Sequence, residues 1–219
     1  MKSFPCGTSR ARRFFPVVAL CLLACLLTAC GKSAPTYYYL LESGEKPFAA
    51  PSLPATSLRI AHVGIPGYLD RQGVVSRREG DPLLNVNNFD IWAEPLDQGI
   101  RRVLREVLSP SLLAGDIAVQ TTDDAGWKAA LLVDILRLDG APGETVRLEA
   151  RWSLLDSADK VMARGSFADS ATCPAAQPGT AATSSLVRTQ SLLVQRLGQA
   201  LAPEILRVLK TRRQSGDNS

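Results

Sequence analysis

The sequence has little of the chemistry that catalysis or metal binding requires. It contains one histidine, His62, in 219 residues, and one imidazole cannot supply both a metal cluster and a general base. The G-x-S-x-G, H-E-x-x-H and G-x-x-x-x-G-K motifs are absent. Asp123 and Asp124 precede Gly126, a pattern typical of a turn. The sequence therefore disfavours an enzyme, and it predicts no cofactor, catalytic residue or metal site.

A long apolar run is also missing. The longest run, from Phe14 to Ala29, has 16 residues, whereas a membrane-spanning helix needs about 20. No acidic residue occurs before Glu42, and four basic residues precede the run: Lys2, Arg10, Arg12 and Arg13. A basic start, a short apolar core and small residues at its end are typical of a secretory signal peptide. We therefore expect residues 1–29 to be removed.

The apolar run ends in a motif with a specific chemistry. Leu27-Thr28-Ala29-Cys30 resembles the lipobox of bacterial lipoproteins, so we expect cleavage between Ala29 and Cys30 and a diacylglycerol on the Cys30 thiol. Residue 31 is Gly rather than Asp, which implies the outer membrane under the enterobacterial sorting rule. An ordinary signal peptide with a chance cysteine is the alternative, because three other cysteines occur in the same region.

Once the signal peptide is removed, the chain has almost no net charge. Residues 1–29 contain four of the 25 basic residues and no acid, which leaves 21 basic and 21 acidic residues. No dense run of Lys and Arg with interleaved aromatic residues remains, so nucleic acid is not an expected partner. The remaining 190 residues are enough for one domain with its own core.

Disulfide bonds are not expected to hold this domain together. Only Cys30 and Cys173 remain after cleavage, and acylation of Cys30 leaves Cys173 without an intramolecular partner. Cys173 is therefore either a free thiol, buried or in a loop, or part of an intermolecular bridge.

Hydrophobic periodicity predicts five strands and two helices. The predicted strands are residues 37–41, 58–65, 128–138, 145–156 and 161–167, and the predicted helices are residues 95–108 and 185–210. In the fourth strand, the residues expected to face the core are Val146, Leu148, Ala150, Trp152 and Leu154. This order favours an α/β fold: a two-layer sandwich of a mixed, largely antiparallel sheet packed by two main helices.

Local signals add four expectations about these elements. Ser109-Pro110 should stop the first helix, and Pro203 should kink or split the second. Residues 211–219 should form a polar tail. His62, on an apolar strand, is expected to be a packed core residue rather than a ligand.

The exit of the second strand offers a candidate interaction site. Pro66 and Gly67 end the strand, and a loop with aromatic and charged residues follows. One interpretation is a surface that contacts a partner protein or a neighbouring subunit; the other is a solvated loop with a tryptophan that packs in the core. The candidate contact residues are Tyr68, Leu69, Asp70, Arg71 and Trp92.

Two sequence phrases carry a family resemblance. They are Pro-Gly-Tyr-Leu-Asp-Arg (66–71) and Trp-Ala-Glu-Pro-Leu (92–96). Together with the tyrosine-rich start at 37–41 and the lipobox, they resemble the PqiC-like (YmbA-like) family of ABC-type transport auxiliary lipoproteins. The resemblance places the family domain at residues 37–210, after a lipidated cysteine and short tether at residues 30–36. It implies an outer-membrane lipoprotein, anchored by lipid on the periplasmic side and forming homo-oligomers. Its partners would be an MCE-domain protein and inner-membrane transporter components that move lipids and maintain envelope integrity.

Two other hypotheses compete with this docking role. The protein could itself bind a lipid or another apolar small molecule in a pocket under the helices. An unusual hydrolase is the third hypothesis, and it needs a nucleophile–base pair that the sequence does not supply.

Overall fold

A computed structural model describes residues 34–44, 56–120, 127–175 and 182–217 of the chain. From Thr36 onward, the described residues belong to one structural unit. The predicted cleavage site at Ala29 and Cys30 lies outside the described residues, as does the Asp123-Asp124 pair. The lipidation of Cys30 therefore stays a prediction.

The described residues contain eight strands and two helices. In chain order they are β1 (Tyr37–Tyr39), β2 (Thr56–Gly64), β3 (Gly73–Ser76), β4 (Asn85–Trp92), α1 (Leu96–Leu113), β5 (Ile117–Val119), β6 (Ala129–Asp139), β7 (Thr145–Asp156), β8 (Val161–Thr172) and α2 (Ala182–Asp217). The predicted α/β class with two main helices is confirmed.

The strands form two mixed sheets rather than the single sheet that the sequence predicted. One sheet has the order β1-β4-β3, and the other has the order β5-β2-β6-β7-β8. β1 runs parallel to β4, and β2 runs parallel to both β5 and β6. The β6-β7-β8 meander is antiparallel, as expected from its short connections.

The core lies between the five-stranded sheet and the two helices. All five residues of β7 that were predicted to face inward are buried. α1 packs over β2 and β5, α2 packs over β7 and β8, and the helices contact each other. They approach closely at Gly198, where an added Cβ would lie 2.9 Å from Val107 Cγ1.

Both helices extend beyond the ends that proline and polar residues predicted. α1 continues past Ser109-Pro110 to Leu113, and α2 runs without a split through Pro203 and on to Asp217. Tertiary contacts explain the difference. Buried side chains and ion pairs stabilise helical turns at which the local sequence alone would end the helix. Leu112 is fully buried, and in the predicted tail Arg212 Nη1 donates to Asp156 Oδ2 at 2.9 Å.

The prediction that His62 packs in the core is wrong. The strand register between β2 and β6 shifts between Ile60 and His62, so strict alternation is interrupted and Ile60 and Val63 point inward instead. The His62 side chain is 57% exposed, and its Nε2 lies 3.8 Å from Asp134 Oδ1 on the neighbouring strand.

Candidate interaction surface

The loop at residues 66–72, which we call the interaction loop, connects β2 to β3 through two tight turns. Leu69 N donates to Pro66 O at 2.8 Å, and Arg71 N donates to Leu69 O at 2.8 Å. The Leu69 side chain is buried, so the middle of the loop is attached to the core. Asp70 and Arg71, which directly follow Leu69, are exposed.

Tyr68 fixes the loop to the end of β6. Its hydroxyl donates to Asp139 Oδ2 at 2.8 Å, and the Asp139 side chain is fully buried. Arg77 Nη2 lies 2.9 Å from Asp139 Oδ2, and Arg137 Nε lies 2.9 Å from Asp139 Oδ1. A carboxylate is stable at a buried position only when it is paired and hydrogen-bonded. These four side chains, the Asp139 network, meet that requirement with one phenol and two guanidinium groups.

The protonation state of Tyr68 follows from this environment. Burial raises the pKa of its hydroxyl above the ordinary value of 10, and the hydrogen bond to the Asp139 carboxylate and the repulsion by its charge raise the pKa further. The hydroxyl therefore keeps its proton at neutral pH and acts as a donor to Asp139.

Backbone bonds connect the other end of the loop to the Trp-Ala-Glu-Pro-Leu segment. Trp92 N donates to Gln72 O at 2.8 Å, and Ala93 N donates to Tyr39 O at 2.8 Å. The structure therefore brings together the two phrases and the tyrosine-rich start that carry the family resemblance. They meet around β4, which lies between β1 and β3.

The five candidate contact residues do not form one exposed patch. Leu69 and Trp92 are 2% and 8% exposed and belong to the core, so neither offers contact area. Tyr68 is half-buried and holds the loop in place. Asp70 and Arg71 are exposed and remain the candidates for direct contact.

Glu94 has a structural role that the sequence did not reveal. Its Oε1 accepts hydrogen bonds from Arg102 Nε at 3.0 Å and from Arg102 Nη2 at 2.7 Å. The same Nη2 donates to Leu41 O at 2.8 Å. Arg102 therefore joins the start of α1 to the segment that follows β1.

Sequence reasoning also missed Asp139, Arg77 and Arg137. One signal was available, because Asp139 is a charged residue at the end of the apolar strand 128–138. Tyr68 and Arg77 lie 71 and 62 residues away from Asp139 in the chain, so no local pattern could identify these two partners.

A second surface feature lies at β1. Tyr38 and Leu40 are 69% and 49% exposed and line a groove of about 430 Å³ between β1 and α2. Glu42, Val187 and Arg188 are also among the lining residues. The groove therefore combines apolar side chains with one acidic and one basic group.

Two kinds of feature are absent from the described ranges of the chain. No group of three or more His, Cys, Asp or Glu side chains in these ranges is arranged to hold a metal ion. Neither helix has a described stretch that is long and apolar enough to cross a membrane.

Comparisons with known proteins identify the family. A family model described as ABC-type transport auxiliary lipoprotein component matches residues 38–202. The fold is similar to a crystal structure of an uncharacterized protein, with 22% identity, a TM-score of 0.63 and coverage of 78% of this chain and 99% of the other. It is also similar to the crystal structure of a Xanthomonas campestris protein of the DUF330 family, with 19% identity, a TM-score of 0.58 and coverage of 81% and 99%. No curated protein matches the chain. Because the family model spans most of the sequence, the chain belongs to the family of ABC-type transport auxiliary lipoprotein components.

Proposed function

We propose that this protein is an outer-membrane component of an ABC-type intermembrane lipid transporter, anchored on the periplasmic side by a lipid on Cys30. In this role several copies dock an MCE-domain protein, which links them to the inner-membrane transporter components, and so support envelope integrity. The observation that carries the proposal is the family match over residues 38–202, directly after a lipobox that ends at Cys30.

The geometry of the interaction loop supports a docking role. Hydrogen bonds and core contacts hold the loop in one conformation: backbone bonds at Pro66 and Gln72, the hydroxyl bond of Tyr68 and the buried side chain of Leu69. A loop that is already ordered loses little conformational entropy when a partner binds. Arg71 is exposed on this rigid base, and arginine is one of the residues enriched at interface hot spots.

The lipid anchor is tested by the intact mass of the purified mature protein. We expect an amino terminus at Cys30 that carries acyl chains, because stable anchoring needs more than one chain. A Cys30→Ser variant should retain its signal peptide, since the acylated thiol is the substrate for cleavage. A mature protein that begins at another residue would contradict the anchor.

The docking role is tested by co-purification with the MCE-domain protein from the same cells. An Arg71→Ala variant should lose about thirtyfold in affinity, which corresponds to about 2 kcal/mol for a hot-spot residue. Arg207→Ala is a matched control, because the Arg207 side chain is 69% exposed and its ion pair is with Glu204, one turn away on the same helix. Tyr68 is unsuitable for this purpose, since its loss would also disturb Asp139.

Equal retention of the partner by the two variants would place the interface outside the loop. Failure of the unmodified protein to retain any MCE-domain protein would overturn the docking role itself. Thermal melts of both variants separate loss of contact from loss of fold, because neither arginine contributes to the buried core.

The alternative function, a lipid-binding pocket under the helices, is less well supported. Large side chains fill the layer between the sheet and the helices: Leu104 on α1, Leu148 on β7 and Leu197 on α2 have no accessible surface. A bound acyl chain would have to displace such residues. Lipid retained after detergent extraction of the purified protein would favour this alternative over docking.

A further inference from the structure

Half of the exposed large apolar side chains in the described residues belong to the β1 segment or to α2. Eight large hydrophobic residues are exposed among the described residues; three of them lie in or directly after β1, and a fourth lies on α2. These are Tyr37 at 50%, Tyr38 at 69%, Leu40 at 49% and Leu192 at 39% exposure. Leu192 is one helical turn beyond Arg188, which lines the groove beside Tyr38 and Leu40.

The chain connection places this surface close to the proposed anchor. Six residues, 31–36, separate Cys30 from Tyr37, and six extended residues span roughly 20 Å. β1 is the first strand after the lipidated cysteine. Whatever orientation the domain takes, β1 therefore remains within a short distance of the lipid surface.

The residue types at this surface match the chemistry of a bilayer interface. Tyrosine is enriched at the level of the lipid headgroups, because its ring is apolar and its hydroxyl is polar. Arg188 is exposed and offers a cation to lipid phosphates, while its aliphatic stem covers apolar surface. Glu42 is the one acidic residue among those that line the groove.

We propose that Tyr37, Tyr38, Leu40, Arg188 and Leu192 form a membrane-contact surface that rests on the headgroups of the leaflet holding the Cys30 lipid. This inference depends on the lipid anchor of the proposed function. It requires little intrinsic affinity, because the anchor makes the contact intramolecular and raises the effective concentration of lipid at β1.

The contact also sets the orientation of the interaction loop. β4 is the middle strand of its sheet, with β1 on one side and β3 on the other. Ala93 N bonds to Tyr39 O on the β1 side, whereas Trp92 N bonds to Gln72 O on the other side. Two strand spacings, roughly 10 Å, separate these edges. A sheet that meets the membrane at its β1 edge carries the loop with Asp70 and Arg71 at the opposite edge, where a periplasmic partner can reach it.

The test uses the full mature lipoprotein in vesicles of phosphatidylethanolamine and phosphatidylglycerol. An environment-sensitive fluorophore is attached at Tyr38→Cys or, as the control, at Leu83→Cys. Leu83 is 72% exposed and lies between β3 and β4, away from the groove beside β1. Cys173 is 1% exposed and Cys30 is acylated in the mature form, so the introduced thiol is the one that reacts.

We expect the label at position 38 to shift to shorter wavelength in vesicles and to lose most of its emission to a headgroup spin-labelled lipid. The label at position 83 should keep its emission and remain open to iodide. Adding Tyr37→Ser and Leu192→Ser to the position 38 variant should restore iodide access, because Leu40 is then the last of the four large apolar side chains at the surface.

The other outcomes overturn the proposal in distinguishable ways. An intact mass without lipid on Cys30 would refute both the anchor and the contact surface. A lipidated protein whose position 38 is as open to iodide as position 83 would refute the contact surface alone. Protection of position 38 that appears only when the MCE-domain protein is added would assign this surface to a protein partner.

Discussion

The Asp139 network should be the most sensitive polar site in the domain. The perturbation we propose is Asp139→Asn, which keeps the size of the side chain and removes its charge. The side chain is fully buried, whereas its partners Arg77 and Arg137 are 30% and 24% exposed. The change removes the negative charge that pairs with both guanidinium groups, and it weakens the acceptor for the Tyr68 hydroxyl.

The magnitude follows from the burial of these groups. Removing one partner of a buried ion pair costs about 3–5 kcal/mol. Because both arginines are partly exposed and can be rehydrated, we expect the lower end, about 3 kcal/mol. For a domain of this size that lowers Tm by about 6–12 °C. Tyr68→Phe removes one hydrogen bond to a charged acceptor, which costs about 1.5 kcal/mol, or about 3–6 °C.

The assay is thermal unfolding of the two single variants, the double variant and a Tyr38→Phe control. Tyr38 is 69% exposed, so the control should melt with the wild type. The double variant should lose less stability than the sum of the single variants, because both changes affect the same hydrogen bond. An Asp139→Asn protein that melts within about 2 °C of the wild type would refute the reasoning, since the network would then contribute almost nothing.

Three further predictions concern other features of the domain. The pKa of Tyr68 is raised in the folded state, so the stability advantage of wild type over Tyr68→Phe should be complete below about pH 10 and shrink as the pH rises further. Urea titrations at neutral and alkaline pH measure this advantage. An advantage that grows with pH would contradict the prediction. Gly165→Ala should destabilise the fold by about 1–3 kcal/mol, because the added Cβ would lie 2.9 Å from the Trp152 ring. In Gly67→Ala the added Cβ meets no atom within 4 Å, so this variant should be as stable as the wild type. Equal melting of the two variants would disprove this packing argument. Melts with and without reductant or chelator should coincide, since Cys173 is a buried free thiol; a drop of many degrees on reduction would instead indicate an intermolecular bridge.

Sequence by itself determined the features that repeat locally along the chain. The inward face of β7, the helix at α1 and the α/β class all follow from apolar residues at periods of 2 and 3.6, and the structure confirms them. The two family phrases were also readable from sequence, because each is a short contiguous string. The lipobox at Cys30 is equally local, and its lipidation remains a prediction.

Tertiary structure decided everything that depends on residues far apart in the chain. The Tyr68–Asp139 hydrogen bond joins residues 71 positions apart, and β1 pairs with β4 across some 50 residues. The same contacts determine which residues of the interaction loop remain exposed: Leu69 is drawn into the core, while Arg71 is not. A local pattern gives the face on which a side chain lies, but not the distant group that covers it. The division of the strands into two sheets, and the surfaces that this division exposes, therefore emerged only from the folded chain.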